Sequence, residues 1–129
     1  MMRLRVGVCW TEAEKATIVA QAIFSPDADV VLGNGPPATL NVADWVGPPV
    51  LVIAGSTGHV HLAPGMRVNM CRSDGSERLV GTYEELLAAG VPVPVPIAER
   101  AMNIRVRPGL SVFARYLRPD EPDFGTASE

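Results

Sequence analysis

Apolar and polar side chains alternate along several short stretches of the chain. The clearest stretch is RLRVGVCW at residues 3–10, where Leu4, Val6 and Val8 fall on one side and Trp10 continues it. A period of two is typical of a β-strand with one buried face. The same alternation predicts strands in three further stretches, HVHL at 59–62, MRVNM at 66–70 and NIRVR at 103–107.

Two other stretches are apolar on both faces, VLVIA at residues 50–54 and LSVFARYL at 110–117. Strands with two apolar faces belong in the middle of a sheet. Turns rich in glycine and proline separate the stretches at short intervals, at residues 33–37, 47–49, 55–58, 63–65, 73–75 and 108–109. This spacing indicates a sandwich or a barrel. We therefore predict an all-β fold, a small antiparallel β-sandwich.

One short helix is predicted near residues 82–89. Thr82 has the residue type of an N-cap, and Glu85 follows three residues later as its reciprocal partner. Gly90 supplies a stop at the C-terminal end. Local sequence signals therefore mark both ends of this predicted helix.

Residues 11–24 have an ambiguous pattern. Thr11 and Glu14 form a second candidate capping box, which favours a helix. The β-branched run at residues 17–19 and the Ser-Pro pair at 25–26 favour a strand instead. We predict a hairpin turn at residues 11–15, followed by a strand that ends at Phe24.

Two proline-containing segments have simpler interpretations. GNGPP at residues 33–37 lacks the third glycine and the helix of a phosphate-binding loop, and its two prolines provide no N–H donor, so it is predicted to be a turn. VPVPVPI at residues 91–97 is predicted to be an edge strand or a polyproline segment, because proline cannot donate to a central ladder.

Length and charge narrow the classes of function. A chain of 129 residues with a net charge of −3 is predicted to form one domain at residues 1–118 and a flexible acidic C-terminal tail at 119–129. Its weak acidity argues against nucleic acid as a partner. We find no apolar run of membrane-spanning length, so we expect a cytoplasmic protein with Cys9 and Cys71 reduced.

Candidate catalytic or metal-binding chemistry is sparse. His59 and His61 share one face of a predicted strand, a spacing that is similar to the histidine pair of the cupins. The cupin signature adds a glutamate four or five residues beyond the second histidine, where this chain has LAPGM. The serines and the two cysteines lie in no acid–base motif. We therefore predict a protein that is not an enzyme and has neither cofactor nor metal.

Arginine is the basic residue that stands out. Of the eleven basic residues only Lys15 is a lysine. In the predicted strands Arg67, Arg105 and Arg107 point away from the core, and Arg115 is a candidate to join them. Guanidinium groups on neighbouring strands would form a surface suited to carboxylate or phosphate, the alternative being a solvated face.

The order of these elements resembles that of small FHA-like (forkhead-associated-like) β-sandwich domains, including divergent copies in bacterial signalling and motility proteins. The resemblance runs from Arg3 to about Arg118. In that family a Gly-Arg pair, a Ser-x-x-His and a later Asn read phosphothreonine. Asn34 follows Gly33 where the arginine is expected, and STGH at residues 56–59 falls in a hairpin beyond the family's position. The resemblance therefore implies the sandwich without its usual phosphate site.

The function expected from these features is a non-catalytic protein–protein interaction module, as an adaptor or subunit of a cytoplasmic multiprotein assembly or as a homo-oligomer. We predict the interacting residues to be Arg67, Arg105, Arg107, Arg115 and Asn34, together with the proline-rich edge. Two alternatives stay open. One is a phosphopeptide reader that uses the arginines in place of the missing Gly-Arg pair. The other is a small cupin-like metal-binding enzyme that uses His59 and His61.

Overall fold

The computed structural model describes residues 2–71, 76–95 and 101–120. In this part of the chain ten strands and one helix follow one another. Their bounds are β1 Arg3–Glu12, β2 Lys15–Phe24, β3 Val30–Gly33, β4 Leu40–Asn41, β5 Val50–Ala54, β6 His59–Val60, β7 Arg67–Cys71, β8 Glu77–Thr82, α1 Tyr83–Ala89, β9 Ala101–Arg107 and β10 Leu110–Leu117.

The strands form two sheets. The larger sheet has six strands in the order β2-β1-β10-β9-β7-β8, with each neighbouring pair antiparallel. The smaller sheet has the order β4-β3-β5-β6 and includes one parallel pair, β3 with β4. The predicted small all-β sandwich is confirmed. The seven-residue helix is too short to cross a membrane, and the described residues contain no other helix.

The core lies between the sheets and follows the predicted alternation. None of the described polar or charged side chains is buried. The stretches 50–54 and 110–117 form β5 and β10, which have strands on both sides, as their two apolar faces predicted. The larger sheet contributes Leu4, Val6, Val8, Val68, Met70, Met102, Ile104, Val106, Val112 and Ala114, and the smaller sheet Val30, Leu32, Val52, Ile53 and Val60.

Residues 11–24 form the predicted hairpin and not a helix. β1 and β2 pair in antiparallel register up to Glu12 opposite Lys15. The two residues between them, Ala13 and Glu14, have φ angles of 50° and 67°. Two left-handed residues are what a tight two-residue hairpin turn requires. The β-branched residues of β2 therefore prevail over the second capping box.

The helix has the predicted caps. The Thr82 Oγ1 atom accepts a hydrogen bond from the Glu85 backbone N–H at 3.4 Å and donates one to Glu85 Oε1 at 3.0 Å. Gly90 ends the helix with a φ angle of 67°, in the left-handed region. Both predicted boundaries are confirmed.

The proline-rich segment lies along an edge of the smaller sheet. The Val60 N–H donates to the Val93 carbonyl at 2.7 Å, and the Val95 N–H donates to the Gly58 carbonyl at 2.8 Å. Val93 and Val95 are buried, while Pro92 and Pro94 are exposed. The edge interpretation is confirmed for residues 91–95, and residues 96–97 lie outside the described part. So do residues 121–129, which make up most of the predicted tail.

The GNGPP segment is a turn, as predicted. The Gly35 N–H donates to Asn41 Oδ1 at 3.0 Å, and the Ala38 N–H donates to the Gly35 carbonyl at 3.0 Å. The Gly35 amide, which a phosphate would need, is thus used within the loop. The turn connects β3 to β4, and the two strands pair in parallel.

Candidate functional site

Two pairs of arginines lie on the outer face of the larger sheet. Arg67 on β7 stands directly opposite Arg105 on β9, and Arg5 on β1 stands directly opposite Arg115 on β10. Each of the four alternates in its strand with residues that pack in the core, all of them buried except the partly buried Tyr116, so its side chain points away from the core. We call this surface the arginine face and define it by Arg5, Arg67, Arg105 and Arg115.

The two arginine pairs are separated by a row of uncharged residues. Gly7, Phe113, Asn103 and Asn69 stand opposite one another across β1, β10, β9 and β7. A Cβ atom at Gly7 would overlap the Phe113 ring, so the ring lies directly over that glycine. At about 4.8 Å between strands, the four strands span about 14 Å. The face therefore offers an aromatic ring between two cationic clusters.

The outward-facing charged side chains on the four strands of the arginine face are all arginines. The outward-facing side chains of β1, β7, β9 and β10 include no acidic residue. Like charges directly opposite each other in a sheet are destabilising. The Arg67–Arg105 pair is thus an unfavourable choice for stability alone, whereas Arg5 of the other pair donates a hydrogen bond from Nη2 to Gln21 Oε1 at 3.5 Å. An anion placed beside Arg67 and Arg105 would relieve their repulsion.

Arg107 was predicted to lie beside Arg105 on this face, and that prediction is wrong. A bulge between β9 and β10 places Leu110 opposite Arg107 and Ser111 opposite Arg105. Leu110 is buried in the core, and directly opposite residues share a face, so Arg107 turns to the inner side. Its guanidinium carbon lies 4.3 Å from the centroid of the Trp45 ring.

Asn34, the remaining predicted interaction residue, lies apart from the arginines. It is exposed in the bend that follows β3, in the smaller sheet. The structure therefore brings together Arg67 and Arg105 as predicted, with Arg115 on the same face, and leaves out Arg107 and Asn34. Arg5 is the member of the arginine face that the sequence prediction missed, although it alternates with the buried Leu4 and Val6 just as the others do.

A pocket of about 350 Å³ opens at the hairpin end of the sandwich. We call it the tryptophan pocket. It is lined by Trp10, Val19, residues 42–46 with Trp45 among them, Arg107 and Leu110. Trp10 was predicted to be a core residue, yet 44% of its surface is exposed. Its side chain lines the pocket together with residues 42–46, which follow β4 and form no strand.

The Arg107 guanidinium in the tryptophan pocket stacks on the Trp45 ring. The Trp45 Nε1–H donates to the Pro48 carbonyl at 3.2 Å, which fixes the indole on which the Arg107 guanidinium rests. Cation–π stacking uses the flat face of a guanidinium and leaves its N–H edges available. Within the described part of the chain, the Arg107 guanidinium has no hydrogen bond or ion pair in addition to this contact.

The histidines do not complete a metal site among the described residues. His59 is partly buried opposite Ala54, and His61 is exposed. No group of three or more histidine, cysteine or acidic side chains forms within the described ranges. Ser56 lies in the turn between β5 and β6, so STGH is part of a hairpin connection.

Both cysteines are free, as expected. Cys9 lies on β1 and Cys71 on β7, with β10 and β9 between them. Three strand spacings amount to about 14 Å, far beyond the reach of a disulfide. Burial raises the pKa of the Cys9 thiol, so this sulfur stays protonated and weakly nucleophilic near neutral pH.

Comparison with known proteins adds no relative to this picture. No family model matches the sequence, and no curated protein or solved structure matches it either. The functional argument therefore rests on the arginine face and the tryptophan pocket themselves.

Proposed function

We propose that this protein is a non-catalytic interaction module that binds an acidic segment of a partner protein through the arginine face. The observation that carries the proposal is the direct opposition of Arg67 with Arg105 and of Arg5 with Arg115. Like charges directly opposite each other, as in the Arg67–Arg105 pair, cost stability in the free protein. A bound anionic chain turns that cost into attraction.

The residue type supports a carboxylate or phosphate ligand. Arginine presents a planar fork of donors that matches the two oxygens of a carboxylate, which lysine cannot do. Phe113 lies between the two pairs and offers an apolar surface to the middle of the bound segment. Aromatic and arginine side chains are enriched at the cores of protein interfaces.

The FHA-like resemblance is part of the same proposal. The resemblance was suggested by the order of elements along the chain, and β5, the β5–β6 hairpin, α1 and the β9–β10 pair follow one another in that order. Because Asn34 occupies the position of the family's arginine, we propose adaptor or subunit binding and not phosphothreonine reading at that loop. A phosphopeptide reader is the second candidate, with the arginine face as its phosphate site.

A pull-down distinguishes these two candidates. The tagged protein is incubated with cytoplasmic lysate before and after phosphatase treatment, in parallel with the variant R67Q/R105Q. The matched control is R118Q, because Arg118 is exposed and follows β10 outside the arginine face. We expect partners that survive phosphatase, are captured by R118Q and are lost with R67Q/R105Q. Loss after phosphatase would favour the phosphopeptide reader, and equal capture by both variants would contradict a role for the arginine face.

The cupin-like alternative has its own test. Stoichiometric zinc, iron or manganese in purified protein, lost on substitution of His59 and His61, would favour a metalloprotein. Our proposal predicts no such metal. The third ligand would have to come from residues 72–75, 96–100 or 121–129 or from the side chain of Glu77, since the described part of the chain supplies none.

A further inference from the structure

The outer edge of β2 has the features of a surface that pairs with another strand. β2 ends the order of the larger sheet and pairs with β1 alone. It is ten residues long and contains no proline, and residues 15–19 are all exposed. Ile18 and Val19 are 51% and 39% exposed. Edge strands of this kind are normally shortened, charged or covered, because they pair with other chains.

The smaller sheet shows how this chain protects an edge. There, residues 91–95 pair with β6 and present exposed prolines to the outside. Proline has no N–H to offer an incoming strand, so this edge cannot be extended. The contrast with β2 within one small domain is consistent with β2 being left open for a partner.

The tryptophan pocket adjoins this open edge. Val19 belongs to β2 and also lines the pocket, so a strand added along β2 would run past its opening. A volume of about 350 Å³ accommodates one large side chain. Strand addition gives affinity through backbone hydrogen bonds, and pockets beside the edge give specificity.

We propose that β2 and the tryptophan pocket form a second binding site, which takes an extended peptide of alternating acidic and apolar residues from a partner protein. The peptide backbone pairs with residues 15–19, and an apolar side chain enters the pocket. A neighbouring carboxylate accepts hydrogen bonds from the Arg107 guanidinium. This site lies on β2 and the hairpin end of the sandwich, so it is separate from the arginine face.

The partly buried charge of the pocket favours a peptide that carries carboxylates. Arg107 is partly buried and has no ion-pair partner in the described part of the chain, whereas the Asp44 carboxylate in the same pocket is exposed. Water and salt screen an exposed charge more strongly than a partly buried one. Lys15, exposed at the start of β2, stands opposite the exposed Glu12, and the exposed Glu14 lies in the hairpin turn beside them. The less screened charge at this site is therefore a cation.

Intrinsic fluorescence tests the proposal directly, because both tryptophans of the chain line the pocket. The probe is the end-blocked peptide Glu-Val-Glu-Phe-Glu-Val-Glu, with Lys-Val-Lys-Phe-Lys-Val-Lys as its control. We expect a saturable change in tryptophan emission with the acidic peptide alone. Absence of a saturable change up to about 1 mM, or an equal response to both peptides, would overturn the proposal.

Variants and a modified peptide separate the parts of the site. Arg107→Gln should weaken the acidic peptide about tenfold, while R118Q should leave it unchanged. The same peptide with alternate amides N-methylated should bind about tenfold more weakly, because it loses backbone donors. Unchanged binding of the N-methylated peptide would overturn strand addition.

Two further measurements separate this site from the arginine face and from self-association. R67Q/R105Q should keep the full fluorescence response, so that failure of the arginine face and failure of this site are independent results. Light scattering of the free protein should show a monomer. A dimer that Val46→Asp dissociates would mean that a second copy of the chain occupies the site, and it would overturn the proposal.

Discussion

Replacing Gly55 by alanine should destabilise the fold by about 3 kcal/mol, at the upper end of the usual range for overpacking. Gly55 is buried where β5 ends, and a Cβ atom there would overlap the Ala28 carbonyl oxygen and approach the Asp27 carbonyl carbon. Both are backbone atoms, so no side chain can rotate away. Hydrogen bonds also hold this loop, from the Ala28 N–H to the Ser25 carbonyl at 3.1 Å and from the Gly55 N–H to Asp29 Oδ1 at 3.0 Å.

Gly58→Ala is the matched control for Gly55→Ala. Gly58 lies in the same turn with a φ angle of 72°, and a Cβ atom there would meet nothing within 4 Å. Its replacement costs only the left-handed conformation, about 1 kcal/mol. The measurement is the free energy of unfolding in urea for both variants. If Gly55→Ala were no more destabilising than Gly58→Ala, the close approach of the loop to β5 would be wrong.

Neutralising the arginine pair should separate binding from stability. Arg67→Gln and Arg105→Gln should each leave the free energy of unfolding unchanged or raise it by about 0.2–1 kcal/mol, because each removes a like-charged neighbour. The double variant should gain less than the sum of the two single gains, since the repulsion can be removed only once. The same double variant should lose capture of the partner.

Urea unfolding of the two single variants and the double variant measures this coupling. R118Q again controls for a general effect of lost charge. A marked loss of stability in the double variant would mean that Arg67 and Arg105 hold the sheet together, and the loss of binding would then have a structural cause. A binding role requires that the double variant loses partner binding while its free energy of unfolding rises or stays the same.

Local signals account for the parts of the fold that the sequence predicted. The caps of α1 are set within nine residues, from Thr82 to Gly90, and the alternation of apolar residues places most strands and their buried faces. Even the ambiguous residues 11–24 form the hairpin and strand that their β-branched residues favour. Such features depend on neighbours along the chain, which the sequence displays directly.

The positions that were mispredicted depend on contacts that are distant in sequence. Arg107 differs from Arg105 in its face because of a bulge, which alternation alone does not reveal. Trp10 follows the buried pattern but lines an open pocket with residues 42–46, which are distant from it in sequence. Arg5 faces Arg115 across more than a hundred residues of chain. Only the sheet order brings these residues together.

Titration of a fluorescein-labelled polyglutamate peptide tests the central claim, that the arginine face binds acidic protein segments. This peptide has no apolar side chain for the tryptophan pocket. Binding is followed by anisotropy at low and at high salt for the wild-type protein, R67Q/R105Q and R118Q. The account predicts saturable binding that weakens with salt, stays with R118Q and falls about tenfold with R67Q/R105Q. No binding by the wild type, or equal binding by all three proteins, would contradict it.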